Sequence, residues 1–303
     1  VAEAWRKLVP GYKPGKAIAI KVNFNNNWYC DADYPNIDAL IHPVNAVIRG
    51  LKMAYPNLDH GDIWVYDATI GKKPPVSERQ IPRRFVDGCL YPGVRFFDQG
   101  CRHEAGYTSS DPSARVTWRN PAGIPTPPSA QVTDALVNAT YVINMPIMKR
   151  HAGAGVTLSF KNHFGSIANC NPLHDWIYRR SPNYGGTAYS PLVDIYRNPH
   201  IQGKTVLIIG DGLYGNWEDN RTPPQRWLTF GNGAPNSLFF ATDPVAVDCV
   251  MCDFLARETA AQGKAFWNMA DDYLVYAAAE GLGTYERGDP WGSGYTQIDY
   301  VKV

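Results

Sequence analysis

The stretch Ala139–Gly165, ATYVINMPIMKRHAGAGVTLSFKNHFG, changes pattern three times, and those changes decide the fold. Its first seven residues form a short, largely apolar run that includes Val142 and Ile143, the make-up of a strand buried on both faces. Pro146 then removes a ladder donor. Lys149, Arg150 and His151 arrive together, and Gly153 and Gly155 supply the backbone freedom for a tight turn. Beyond them the spacing predicts a helix from Val156, on which Thr157 and Lys161, four residues apart, share a face.

Outward from this stretch, similar apolar runs recur at Ala17–Asn23, Asp62–Asp67, Val94–Asp98, Thr205–Asp211 and Ser237–Thr242. Val44, Val47, Ile48 and Leu51 stand at helical spacing after Pro43. A long helix starts at Asp243-Pro244, an N-cap followed by a first-turn proline. Apolar strands alternating with helices predict an α/β fold, a mostly parallel sheet with helices on both faces. Pro- and Gly-rich stretches at 72–84, 120–129, 179–190 and 216–224 have the length of loops and lack the bias of linkers. Residues 1–303 are therefore expected to form a single α/β domain with elaborate loops.

Bulk properties remove several functions. A net charge of +1 provides no global field for nucleic acid or an acidic membrane surface. With 45% hydrophobic and 19% charged residues the chain is globular rather than disordered. No apolar run approaches the roughly 20 residues of a membrane span. The chain begins at Val1, so a targeting segment is expected to have been removed, and its many Tyr and Trp favour an extracytoplasmic or secreted protein. Six cysteines permit disulfides in such a setting, with Cys89–Cys101 closing a short loop. Cys249 and Cys252 form a C-x-x-C well inside the long helix, where packing explains them better than redox chemistry.

The expected strands finish at Lys21–Asn23, Asp67, Asp98, Lys149–His151 and Asp211. In an open parallel sheet these ends face one crevice, where ligands bind. Each aspartate alone is as readily a turn or helix cap; the set carries more weight than its members. Loop amides and a helix N-terminus favour anions, and Lys149 and Lys161 add charge beside them. His151, whose ordinary pKa lies near neutrality, is the candidate proton carrier, with Lys149 and Lys161 as the other catalytic candidates. Lys21, Asn23, Thr157 and Asn162 are candidate ligand-binding residues. Asp248 lies in the apolar helix VAVDCVMCDFL, so its carboxylate is expected to need a cation or a metal as partner. Asp211 and Asp248 are the candidate ligands of a divalent metal. His42, His151, His163 and His174 lack any recognised zinc spacing, and a histidine by itself is more often an ordinary hydrogen-bonded residue. Asp31, Asp33, Asp219 and Asn220 lack EF-hand spacing. Gly210–Gly215, GDGLYG, matches a dinucleotide fingerprint but is followed by NWEDNRTPP, which opens no helix.

The block around Lys149-x-His151 and VTLSFKNHFG resembles the family known as domain of unknown function 362, with IKVN at Ile20–Asn23 and DPVAVD at Asp243–Asp248 in support. Some relatives carry ferredoxin-type cysteine clusters. This chain has no C-x-x-C-x-x-C run, so an iron–sulfur cluster is not expected.

The leading expectation is thus an enzyme, or a degenerate one, that binds a small anionic molecule. A structural or self-assembling extracellular protein is the alternative, with Trp28, Tyr29, Tyr184, Tyr189, Trp217, Trp291 and Tyr295 as contact residues. An electron-transfer protein is the third. A homo-oligomer is compatible with each.

Overall fold

The short apolar runs become short strands because Val, Ile, Phe and Tyr fit a pleated surface covered on both sides. A computed structural model describes residues 1–27, 30, 35–69, 80–168, 170–219, 221–266 and 269–303. Of the residues singled out above, Trp28, Tyr29, Asp31, Asp33 and Asn220 lie outside the described ones. In chain order the strands are β1 (Ile18–Lys21), β2 (Ile63–Tyr66), β3 (Arg95–Asp98), β4 (His103–Glu104) and β5 (Tyr141–Asn144). There follow β6 (Ile147–His151), β7 (Gly155–Thr157), β8 (Thr205–Asn216) and β9 (Ser237–Ala241). They make one sheet in the order β4-β3-β2-β1-β5-β8-β6-β7, with β9 also on β8. Among the described strands only the β6–β7 and β8–β9 pairs run antiparallel. The fold is α/β, as the alternation of runs implied.

The helices are α1 (Ala2–Leu8), α2 (Ile41–Ala54), α3 (Arg83–Asp87), α4 (Asp134–Asn138) and α5 (Ser159–Asn162). After them come α6 (His174–Ile177), α7 (Pro191–Tyr196), α8 (Pro244–Ala261) and α9 (Met269–Ala279). None among the described residues is long and apolar enough to cross a membrane. Alternate residues of each strand feed two cores. Ile18, Ile20, Ile143 and Ile209 pack with Val44, Ile48 and Leu51 of α2. Ala19, Val142 and Ile208 pack on the other face with Val247, Met251 and Leu255 of α8.

β8 is twelve residues long and serves two shorter strands in succession. Asn144 of β5 stands opposite Ile208, and Ile147 of β6 stands opposite Asp211. Between them Pro146 has no N–H to give, yet its carbonyl accepts from Asp211 N at 2.7 Å. This break lets β5 and then β6 pair in succession along β8.

Two expectations fail here. No helix starts at Val156: Gly155–Thr157 is a strand that hairpins back on β6, pairing Lys149 with Thr157 and His151 with Gly155. The helix is α5, four residues long, and Thr157 precedes it. Isolated helical spacing cannot distinguish the two states in so short an apolar run, and the cross-strand ladder decides. The disulfide is Cys30–Cys101, with Cα atoms 5.7 Å apart, and Cys89 is a free thiol. Sequence proximity favoured Cys89, but Cys101 follows β3 and the fold carries it to Cys30.

Candidate functional site

β1 ends at Lys21, whose register neighbours are Tyr66 of β2 and Asn144 of β5. The Lys21 ammonium is fully buried. It donates to the Val22 carbonyl and, at 3.3 Å, to Asn162 Oδ1, and it lies 3.5 Å from Asp67 Oδ2. Burial lowers its pKa, and Asp67 opposes that shift. Asp67 is held in turn by Phe24 N at 2.7 Å and by the Thr69 hydroxyl at 2.7 Å.

From this pair the network extends through amides. Asn162 Oδ1 also accepts from Asn23 Nδ2 at 3.2 Å, and Asn162 Nδ2 donates to Asn144 Oδ1 at 2.7 Å. Asn144 Nδ2 donates to the Ser159 carbonyl at 3.0 Å. Asn23 Oδ1 accepts from Lys149 Nζ at 2.8 Å. Lys21, Asn23, Lys149 and Asn162, widely separated in sequence, therefore meet in one buried cluster. Asn144 completes it and was not picked out beforehand. Its position at the end of a strand was a usable signal, masked because Met145 prolongs the apolar run.

Lys161 stands apart in its contacts. It is 6% exposed, makes no hydrogen bond or ion pair among the described residues, and lies 4.0 Å from the Phe164 ring centroid. Burial brings its pKa down to about 7; Cys170 opposes that shift and the Lys149 charge adds to it. Thr157 faces Lys149 across the hairpin, and its hydroxyl is sealed without a partner.

His151 is partly buried, its ring stacked on His174 with centroids 6.3 Å apart. Its Nδ1 accepts from Gly153 N at 3.1 Å and Ala154 N at 3.2 Å. Those donors place the proton on Nε2. Burial, then Lys161, His174 and Lys149, hold its pKa well below the ordinary value. The expected proton carrier is thus a neutral ring that donates from Nε2, and Lys149, His151 and Lys161 are near enough to feel one another's charge. His163 is sealed, with Nδ1 3.0 Å from Ser166 Oγ, and burial lowers its pKa to about 3.

The two aspartates do not join this group. Asp211 lines a separate cavity of about 40 Å³ with Asp38, Leu40, Ile147 and Tyr214. Its Oδ1 accepts from Leu213 N at 3.0 Å, and burial raises its pKa to about 6. Asp248 is fully buried but needs no cation: Oδ1 accepts from Ser159 N at 2.8 Å, and Oδ2 from Phe160 N at 3.4 Å and Tyr273 Oη at 3.3 Å. It occupies the α5 N-terminus, so those amides hold the chain's own carboxylate rather than a ligand. Burial still raises its pKa to about 7. Among the described residues no three His, Cys, Asp or Glu side chains gather as metal ligands.

The other motifs are structural. Asp98 accepts from the amides of Ile81, Gly100, Cys101 and Arg102, which makes it a turn organiser. Gly210 lets α8 press on β8: a Cβ there would lie 2.8 Å from Met251 Cε. Gly215 clears the Trp227 indole in the same way, with Cε2 3.0 Å from such an atom. Cys249 and Cys252 are buried thiols whose pKa values burial raises.

A family model described as domain of unknown function (DUF362) matches residues 18–253. The chain belongs to this family. The match takes in every strand of the sheet and all of the lysine cluster, so the cluster sits within the DUF362 domain rather than in an appendage. Comparison with curated proteins and with solved structures gives no match.

Proposed function

We propose that this DUF362 chain is an enzyme whose substrate is a small anion held by Lys149 and Lys161, beside a Lys21 that is already paired with Asp67. One observation carries the reading. Lys161 is an almost fully buried amine with no carboxylate in ion-pair reach among the described residues, near enough to the buried Lys149 for the two charges to repel. An uncompensated buried cation costs several kcal/mol, and a bound anion offsets that cost. Asn162 and Asn23 orient Lys21 and Lys149, and neutral His151 donates from Nε2 to an oxygen that gains charge. The Cys30–Cys101 disulfide supports an oxidising, extracytoplasmic setting.

The structural alternative is weakened by its own residues, since Tyr189 and Trp217 are buried in the core. Calorimetric titration with oxalate, phosphate and sulfate tests the proposal. Binding of at least one anion, weakened about tenfold or more in Lys149→Met and Lys161→Met proteins, is expected. Wild-type protein that binds none of the three would remove the reading.

A further inference from the structure

The three lysines are not equivalent. Lys21 is committed to Asp67, Asn162 and the Val22 carbonyl, and Lys149 donates to Asn23. Lys161 has an aromatic ring on one side and no acceptor at all among the described residues. Its nitrogen is not one of the sealed atoms without a partner, and the side chain keeps 6% of its surface, so it is not closed off from a ligand. The apolar wall and the neighbouring Lys149 charge bring its pKa to about 7. Desolvation beside a second cation is how an amine becomes a nucleophile in water.

We propose that Lys161 attacks the carbonyl carbon of a 2-oxo carboxylate and holds it as an imine. This rests on the anion-site reading and names its substrate class. A carboxylate one bond from the carbonyl suits a nucleophilic amine beside a fixed cation: Lys149 draws the carboxylate while the carbonyl faces Lys161, and Lys21 stays with Asp67, Asn162 and the Val22 carbonyl. The Nζ lone pair forms the C–N bond as the C=O π pair moves to oxygen. Both amine protons pass to that oxygen, which leaves as water when the C=N bond forms. No oxidant or reductant takes part. The Nε2–H of His151 and the Lys149 ammonium stabilise the oxygen while it is negative.

Pyruvate with sodium cyanoborohydride traps such an imine as a secondary amine that peptide mass spectrometry locates. The expected result is an adduct on Lys161 in preference to surface lysines, whose neutral fraction near neutral pH is about a thousandfold smaller. Oxalate, an anion without an electrophilic carbonyl of this kind, should block the labelling. Lys161→Arg, which keeps the charge, should abolish it while still binding oxalate. Lys161→Met serves as a second variant, with circular dichroism confirming that both fold. Oxalate binding without any adduct on Lys161 would overturn the imine and leave the anion site standing. Absence of both oxalate binding and adduct would remove the two readings together.

Discussion

Asp248 offers the most quantitative test of how this core is built. Its carboxylate is buried against Ser159 N, Phe160 N and Tyr273 Oη, and burial outweighs those donors, lifting its pKa to about 7. In the unfolded chain an aspartate titrates near pH 3.9. Between about pH 4 and about pH 7 the folded protein therefore keeps a proton that the unfolded chain has lost, and stability falls as pH rises through that window. At 1.36 kcal/mol per pH unit over about three units, the loss is of the order of 4 kcal/mol. Asp248→Asn cannot titrate. Its amide oxygen can still accept from Ser159 N, and its NH2 can donate to Tyr273 Oη. Urea unfolding of both proteins from about pH 4 to about pH 9 should show the free-energy difference shifting toward the Asn variant across the window and levelling off above it. Parallel profiles would mean that the α5 amides and Tyr273 keep the carboxylate ionised at its ordinary pKa, and the reasoning would be wrong.

Other outcomes follow from the same geometry. Lys161 is charged below about pH 7, so oxalate affinity should weaken as pH rises through that value, and Lys161→Met should flatten the calorimetric profile. Asn162→Leu strips partners from Lys21, Asn23 and Asn144 at once and should cost about 2–4 kcal/mol in a denaturant melt; a loss below about 1 kcal/mol would show the network to be dispensable. In Gly165→Ala the new Cβ would lie 2.6 Å from Lys21 Nζ and 2.8 Å from Thr69 Oγ1, so about 1–3 kcal/mol of stability should go together with anion binding. Opening the Cys30–Cys101 bridge, which spans 71 residues, should lower stability by about 4 kcal/mol, read from melts of a Cys30→Ser/Cys101→Ser protein against wild type.

By itself the sequence determined the elements whose signals are local. The apolar runs at Ile18–Lys21, Ile63–Tyr66 and Thr205–Asp211 became strands, and Asp243-Pro244 opened α8, because side-chain period and capping chemistry act within a few residues. The same pattern placed Lys21 at the end of β1, whereas Lys149 falls inside β6 and joins Lys21 through Asn23 and Asn162. What lies across the chain was beyond it. Whether Gly155–Thr157 is helix or strand depends on the ladder with β6, and whether Asp248 meets a cation or the Ser159 amide depends on how α8 packs over the sheet. Asp211 is expected at a strand end, yet β8 runs on to Asn216 and leaves it in mid-strand, where it faces its own cavity, since a β-strand sends successive side chains to opposite faces and the β6–β8 register is irregular between Ile147 and Lys149. Burial, too, is a property of the packed structure. Only there does Lys161 become an amine without a hydrogen-bond or ion-pair partner among the described residues and with a pKa near neutrality.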